Sequence, residues 1–284
     1  MNQATSGSLA AAAGLAIALL GARPSIAADS LPWEKSFRAA SIRAKNEGKL
    51  IMVDFWATWC KYCEKLDQTT YKDPSVIARL AKTTVPVKVN TEGRRDELEL
   101  ADEHGIEGLP TIGFFTAEGR AVARINGYTD ARAFIKLLTT AEVEGAEMMA
   151  WEKSLRANPN DFKALFGLGS KMYELDYQDN ARPMLEKARR IDLGSLRERK
   201  RVRMMLARII ETRSSFTDSE AMLREGLALP PEPDTDPRLQ FLLARCLVTL
   251  GKGGEGKAEL KKLIAAYPNH PVTAAAKKTL EDVK

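Results

Sequence analysis

The sequence predicts an α/β sandwich, a mixed sheet flanked by helices, followed by an all-α helical-repeat domain. Three observations carry this expectation. Strand-like and helix-like segments alternate from Trp33 to Thr139. Beyond Glu142 no segment reads as a strand, and helical runs follow one another. Within those runs a pattern of leucine, small residue and chain-breaking residue recurs at a near-constant interval. The 284 residues are enough for two ordinary domains. A composition of 44% hydrophobic and 29% charged residues is that of a globular protein and argues against a disordered chain.

The first segment reads as a leader. Leu9 to Ala22 is an unbroken apolar run. As a helix it would reach about 21 Å, short of a ~30 Å hydrocarbon core but suited to the apolar part of a secretory signal. Small residues at Ser25, Ala27 and Ala28 suit cleavage before Ala28 or Asp29, although no Lys or Arg precedes Leu9. Residues 1–28 are therefore expected to be removed on export. No later apolar stretch is long enough to cross a bilayer, so no stable membrane insertion is expected of the mature chain.

Residues 29–141 are expected to form the sandwich. A helical pattern runs from Trp33 to Asn46 and stops at Gly48, a residue suited to a helix C-terminus. Leu50 to Trp56 is apolar except at Asp54, as in a strand covered on both faces. Asp73-Pro74 reads as an N-cap followed by a first-turn proline. Val85–Val89 is a second strand and Arg95–Glu103 a helix. Thr111–Thr116 and Ala121–Ile125 are strands joined at Glu118-Gly119, and Ala131–Thr139 closes the unit as a helix.

Residues 142–161 read as a linker helix, and 162–284 as the repeat domain. Leu168-Gly169, Leu206-Ala207 and Leu243-Ala244 begin the matching pattern. Ala181, Ser219 and Gly256 follow, then Leu185, Leu223 and Leu260. Small residues let paired helices approach and the leucines fill the space between them. This is similar to the tetratricopeptide pattern, with units starting near Phe162, Lys200 and Pro237. Residues Val272 to Val283 would close the stack.

The chemistry is expected at Trp59-Cys60-Lys61-Tyr62-Cys63. Cysteines three apart on a helix share a face, so their sulfurs can close a disulfide across one turn. Cys60 would stand at the helix N-terminus, where unpaired N–H groups and the helix dipole stabilise a thiolate. It is therefore read as the exposed nucleophile, with Cys63 as the resolving thiol. Half a zinc site is the rival reading, but the chain has only 3 Cys and 2 His, and no second half is present. No metal and no cofactor are expected.

With these residues in view, 33–140 resembles the thioredoxin superfamily. Val53-Asp54-Phe55-Trp56-Ala57-Thr58-Trp59-Cys60 is close to its active-site strand. Within the superfamily, the N-terminal helix and the Asp73-Pro74 segment resemble the C-terminal periplasmic domain of the bacterial thiol:disulfide interchange transmembrane reductase. Gly108-Leu109-Pro110-Thr111 is similar to the family's cis-proline loop. The resemblance implies that Pro110 is cis and faces the disulfide, and that Leu109, Thr111 and Trp59 contact substrate. It implies that Asp54 is a buried proton acceptor for Cys63, with Lys88 as its neighbour. The pair Lys61-Tyr62 departs from the Gly-Pro of the best-known member.

The expected function is an exported thiol:disulfide oxidoreductase, periplasmic by its resemblance, that reduces protein disulfides, with the repeats docking a partner. A separate membrane electron donor would have to recharge it. A disulfide oxidase or isomerase is the alternative among enzymes. A partner-binding scaffold with vestigial chemistry is the alternative of another class. Charge gives no support to nucleic-acid binding. The net charge is +5, with 17 basic to 16 acidic residues in 29–141 and 25 to 22 in 142–284. The run Arg197 to Arg203 is read as a solvated helix face, Cys246 as a small core residue, and His104 as a helix-end residue.

Overall fold

The structure is a computed structural model that describes Met1 and residues 30–212 and 215–283. The expected leader over Leu9–Ala22 and its cleavage site lie outside the described residues.

Helix α1 (Phe37–Glu47) starts later than the apolar pattern suggested, because Ser36 Oγ accepts from the Ala39 N–H and fixes the entry. Gly48 ends it at φ +64°, a conformation that a side chain would disfavour. β1 (Leu50–Trp56) follows, then α2 (Lys61–Gln68), a short 3₁₀ turn (Thr70–Lys72) and α3 (Pro74–Thr83). Asp73 caps α3 through Ser75 and Val76, with Pro74 in the first turn. β2 (Thr84–Asn90), α4 (Arg95–Glu103), β3 (Thr111–Phe115) and β4 (Ala121–Asn126) complete the strands.

The sheet order is β2-β1-β3-β4. β1 runs parallel to β2 and antiparallel to β3, and β4 is antiparallel to β3, so the sheet is mixed. Successive residues of β1 serve opposite faces, as strand geometry requires. Leu50 and Met52 join Leu66, Leu80, Ile112, Phe114 and Phe134 on one side. Ile51, Val53 and Phe55 join Ala40, Ala44, Val87 and Phe115 on the other.

The expected helix end at Thr139 is absent. α5 is a single helix, Ala131–Ala157, so the expected boundary between 141 and 142 falls inside it, and the expected linker helix is its second half. Gly145, the natural candidate for a break, serves close packing instead. A Cβ there would lie 2.6 Å from Leu50 Cδ2. Further along, the buried Glu152 accepts from Thr116 Oγ1 (2.7 Å) and Arg120 Nη1 (2.6 Å) at the far end of the β3–β4 hairpin.

The rest is helical: α6 (Phe162–Glu174), α7 (Gln178–Ile191), α8 (Leu196–Glu211), α9 (Phe216–Ala228), α10 (Asp236–Thr249), α11 (Gly253–Ala266) and α12 (Val272–Asp282). They pack as α6 on α7, α8 on α9 and α10 on α11, with α12 against α11. The small positions sit where helices touch: a Cβ on Gly169 would come within 2.9 Å of Leu185, and one on Gly256 within 2.8 Å of Val248. Cys246 is buried in this packing, its Sγ 3.1 Å from Phe216 O.

Two further features depart from the sequence reading. The Arg197–Arg203 run is not simply a solvated face. Lys200 is fully buried and paired with Asp236, and Arg203 is buried against Asp192 (2.9 Å) and Glu225 (2.9 Å). These cations are consumed by acids on neighbouring helices, a pairing that sequence distance conceals. In addition, the C-terminal helices share a core with the sheet. The cluster containing Leu50 and Met52 continues through Met148, Phe162, Leu165 and Leu168 to Leu206 and Ile209. Leu175 and Tyr177, in the α6–α7 turn, pack on the other face beside Phe55 and Phe115.

Candidate active site

β1 leads into a turn in which the Cys60 N–H donates to Ala57 O (3.1 Å), and α2 begins directly after it. Cys60 is the N-cap of α2, and its Sγ accepts from the Cys63 N–H at 3.1 Å. Cys60 and Cys63 form a disulfide with an S–S distance of 2.03 Å and a Cα–Cα distance of 5.3 Å. Cys60 is 6% exposed, against 2% for Cys63, so the first cysteine is not the exposed residue of the motif. The turn tucks it inward, and Trp59 at 65% and Tyr62 at 61% stand out on either side. Trp59 is pinned through Nε1 to Glu92 Oε1 (2.8 Å), across the loop that follows β2.

The Leu109–Pro110 bond is cis. Pro110 and Thr111 are buried and Leu109 is half-buried. Thr111 opens β3 opposite Phe55, one residue short of the end of β1, so the proline lies at the sheet end from which the cysteine turn leaves. The Gly127 N–H donates to Pro110 O (2.8 Å), and Thr111 Oγ1 donates to Gly108 O (2.7 Å). These bonds tie the loop to the β4–α5 turn and to itself.

Asp54 is fully buried. It sits opposite Lys88 in the β1–β2 register, and Lys88 Nζ donates to its Oδ2 at 2.9 Å. Lys88 also donates to Asp67 Oδ1 (2.6 Å) on α2 and lies 5.0 Å from the Trp33 ring centre. Burial pushes the Asp54 carboxyl above the usual carboxylate range, and the Lys88 charge opposes that only in part. For Lys88, burial works against the charge, but the two carboxylates outweigh it and its pKa is raised. The Tyr71 hydroxyl is near enough for Asp54 to raise its pKa beyond the effect of burial. Among the described residues Asp54 Oδ1 meets no donor in strict hydrogen-bonding geometry, but the Tyr71 hydroxyl stands beside the carboxyl and acts to lower its pKa.

Trp59, Cys60, Cys63, Leu109, Pro110 and Thr111 gather at the sheet end where β1 runs out and β3 begins, and Asp54 is buried in β1 two residues before that end. Asp67 was missed. It lies one turn beyond Cys63, and only its bond to Lys88 distinguishes it from the other charged residues of α2. His104 caps α4 and is buried, with Nδ1 2.9 Å from Tyr177 OH and the ring 4.6 Å from that of Phe115. Among the described residues no cluster of His, Cys, Asp and Glu is arranged to hold a metal, and no helix is long and apolar enough to cross a membrane.

A disulfide closed across the first turn of a helix, following the central strand of a mixed sheet and beside a cis-proline loop, defines a dithiol redox domain. Residues 37–142 match the family described as thioredoxin-like domain. This part of the chain is a thioredoxin-like domain of the thiol:disulfide oxidoreductase type, with its cysteine pair at Cys60 and Cys63. The thiol:disulfide interchange protein DsbD of Photorhabdus laumondii is 34% identical over 95 residues, covering 33% of this chain and 16% of that protein. The DsbD of Vibrio vulnificus (strain CMCP6) is 35% identical over 95 residues, with the same coverage of 33% and 16%. The chain therefore spans about a sixth of the length of these relatives. Among solved structures, a thioredoxin from Thermus thermophilus is 28% identical, with a TM-score of 0.38. The match covers 41% of this chain and 90% of that one.

Proposed function

We propose that the protein is an exported reductase of protein disulfides whose helical repeats dock a partner protein. The observation that carries the chemical part is the position of Cys60 as N-cap of α2, with the Cys63 N–H directed at its sulfur (3.1 Å). In the reduced protein that bond and the helix dipole favour a thiolate at Cys60. The thiolate attacks one sulfur of a substrate disulfide, forming a mixed disulfide and releasing the other sulfur as a thiolate. Cys63 then loses its proton to Asp54 and attacks Cys60 Sγ. This closes the Cys60–Cys63 disulfide and releases the second substrate thiolate, so two electrons pass to the substrate. Asp54 suits the role of base because burial raises its pKa. Lys88 and Asp67 position that carboxyl. Trp59, Leu109, Pro110 and Thr111 are the proposed substrate contacts.

Export is supported by the Leu9–Ala22 run and the small residues after it. A periplasmic location agrees with the resemblance to the interchange proteins. A separate membrane donor of electrons follows if the protein works as a reductase in an oxidising compartment. The tetratricopeptide reading of the repeats rests on the spacing and on the close helix pairs.

The test is insulin reduction by the purified protein, together with the potential of the Cys60–Cys63 pair in a glutathione or dithiothreitol series. A reductase should fall nearer the ~−270 mV of thioredoxin than the ~−120 mV of a strong periplasmic oxidant. A potential above about −150 mV would favour the oxidase reading. Failure to turn over insulin would favour the scaffold.

A further inference from the structure

The aromatic residues around the disulfide are not all required by the fold. Tyr62 lies between the two cysteines, is 61% exposed and belongs to neither face of the core. Its ring centre is 6.4 Å from that of Tyr128, with 35° between the planes. Tyr128 is held from several sides. Lys65 Nζ stands 4.2 Å over its ring, its hydroxyl is 3.3 Å from Thr69 Oγ1, and the preceding Gly127 is bonded to Pro110 O. The second ring is thus fixed relative to the cis-proline loop, while the first projects into solvent beside Cys60.

We infer that Tyr62 and Tyr128 are specificity-determining residues that seat an aromatic side chain next to the half-cystine under attack. The inference rests on the oxidoreductase reading and names the substrate class for it: extended polypeptide segments with Phe, Tyr or Trp beside the cysteine. A large exposed aromatic surface next to a reactive centre is the kind of feature that binds rather than merely covers. The chemistry of the rim selects among occupants. Lys65 stands over the Tyr128 ring and repels a Lys or Arg side chain. An aliphatic side chain gains buried area, whereas an aromatic one gains, in addition, the ring-to-ring geometry favoured at 4.5–7 Å. Tyr128 is preorganised, so seating a third ring does not require it to be ordered first.

The experiment compares two disulfide-cyclised peptides that differ only in Phe or Ala beside the half-cystine. Reduction is followed with the full-length protein and with Tyr62→Ala, Tyr128→Ala, Tyr62→Phe and Tyr128→Phe. The readout is the Phe-to-Ala ratio of kcat/KM, in which any change in sulfur reactivity cancels. The wild type should prefer the Phe peptide by about five-fold, chiefly through KM. Each Ala variant should bring the ratio close to one, and each Phe variant should keep it. Circular dichroism of the variants separates this result from loss of fold, and Tyr128→Phe keeps the ring where Tyr128→Ala removes it. A wild-type ratio near one, or a ratio unchanged in both Ala variants, overturns the inference while leaving the reductase reading intact. Absence of turnover with either peptide overturns that reading and the inference with it.

Discussion

Lys88 Nζ lies 2.9 Å from Asp54 Oδ2, a hydrogen-bonded ion pair between adjacent strands in which the acid is fully buried and the lysine reaches out to Asp67. The pair is asymmetric. Lys88 has two carboxylates, whereas Asp54 has Lys88 and the neighbouring Tyr71 hydroxyl.

Asp54→Asn should therefore make the protein more stable and slower. The folded-state pKa of Asp54 is raised. The fold favours the protonated form, so this group's contribution is fully present below the unfolded carboxylate value near 3.8 and is lost as pH rises through the folded value. At pH 7 the substitution should raise stability, because the buried charge is removed and Lys88 retains Asp67. Resolution of the mixed disulfide should slow several-fold. Denaturant melts at pH 5 and 8 and single-turnover kinetics check both effects; no change in either would exclude the assigned role.

Cys63→Ser should trap mixed disulfides through Cys60, since the thiolate that releases substrate is missing. Cys60→Ser should trap few. Non-reducing electrophoresis of the two variants after incubation with oxidised substrate decides the order, and adducts on the Cys60→Ser protein would reverse it.

The place where the chain is cut should matter. A fragment ending at Ala141 loses the second half of α5, including Met148, Gly145 against Leu50, and the Glu152 bonds to the hairpin. Met148 burial alone contributes about 2 kcal/mol. That fragment should unfold without a cooperative transition, whereas one ending at Asn158 should keep a cooperative transition at reduced stability. Equal behaviour of the two would show that α5 beyond Ala141 adds nothing to the sheet.

Stability should also fall in mild acid through His104. Its pKa is lowered from 6.5 to about 4, by burial first and by the Arg124 charge second. The unfolded chain binds the proton more readily, so this contribution is present above the unfolded value of 6.5 and is lost as pH falls toward 4. The loss is on the order of 3 kcal/mol. The ring faces Phe115 and Tyr177, and Arg124 Nη2 is bonded to the His104 carbonyl. In melts between pH 7 and 4, His104→Phe should flatten the dependence; an unchanged slope would assign it to other groups.

The redox centre was legible because its parts are local or strand-bound. The cysteine pair follows from local spacing, while the cis Pro110 and the Lys88 neighbour of Asp54 follow from the resemblance of short stretches to the thioredoxin superfamily. Other features depend on partners far along the chain. Lys200 reads as solvated until Asp236 folds beside it. Tyr177 reads as an ordinary turn residue of the repeats, yet it reaches His104 across 73 positions of sequence. The helix end expected at Thr139 is absent because α5 continues and packs on Leu50 through Gly145, a contact that sequence alone does not show. The exposure of Cys60 was misjudged because the Ala57–Cys60 turn, rather than the helix end, sets how far its sulfur is withdrawn.

The 27 residues of α5, at about 1.5 Å each, make a strut of about 40 Å. It starts beside the redox end of the sheet and delivers the chain, through the short turn at 158–161, to α6 and α7. A protein seated on the repeats would thus be held at a set bearing and range from the sulfurs, rather than carried on a tether that samples all directions. Encounter would then depend on whether the partner's own disulfide can span that fixed interval. Lengthening α5 by whole helical turns would become a ruler for the reach of each substrate.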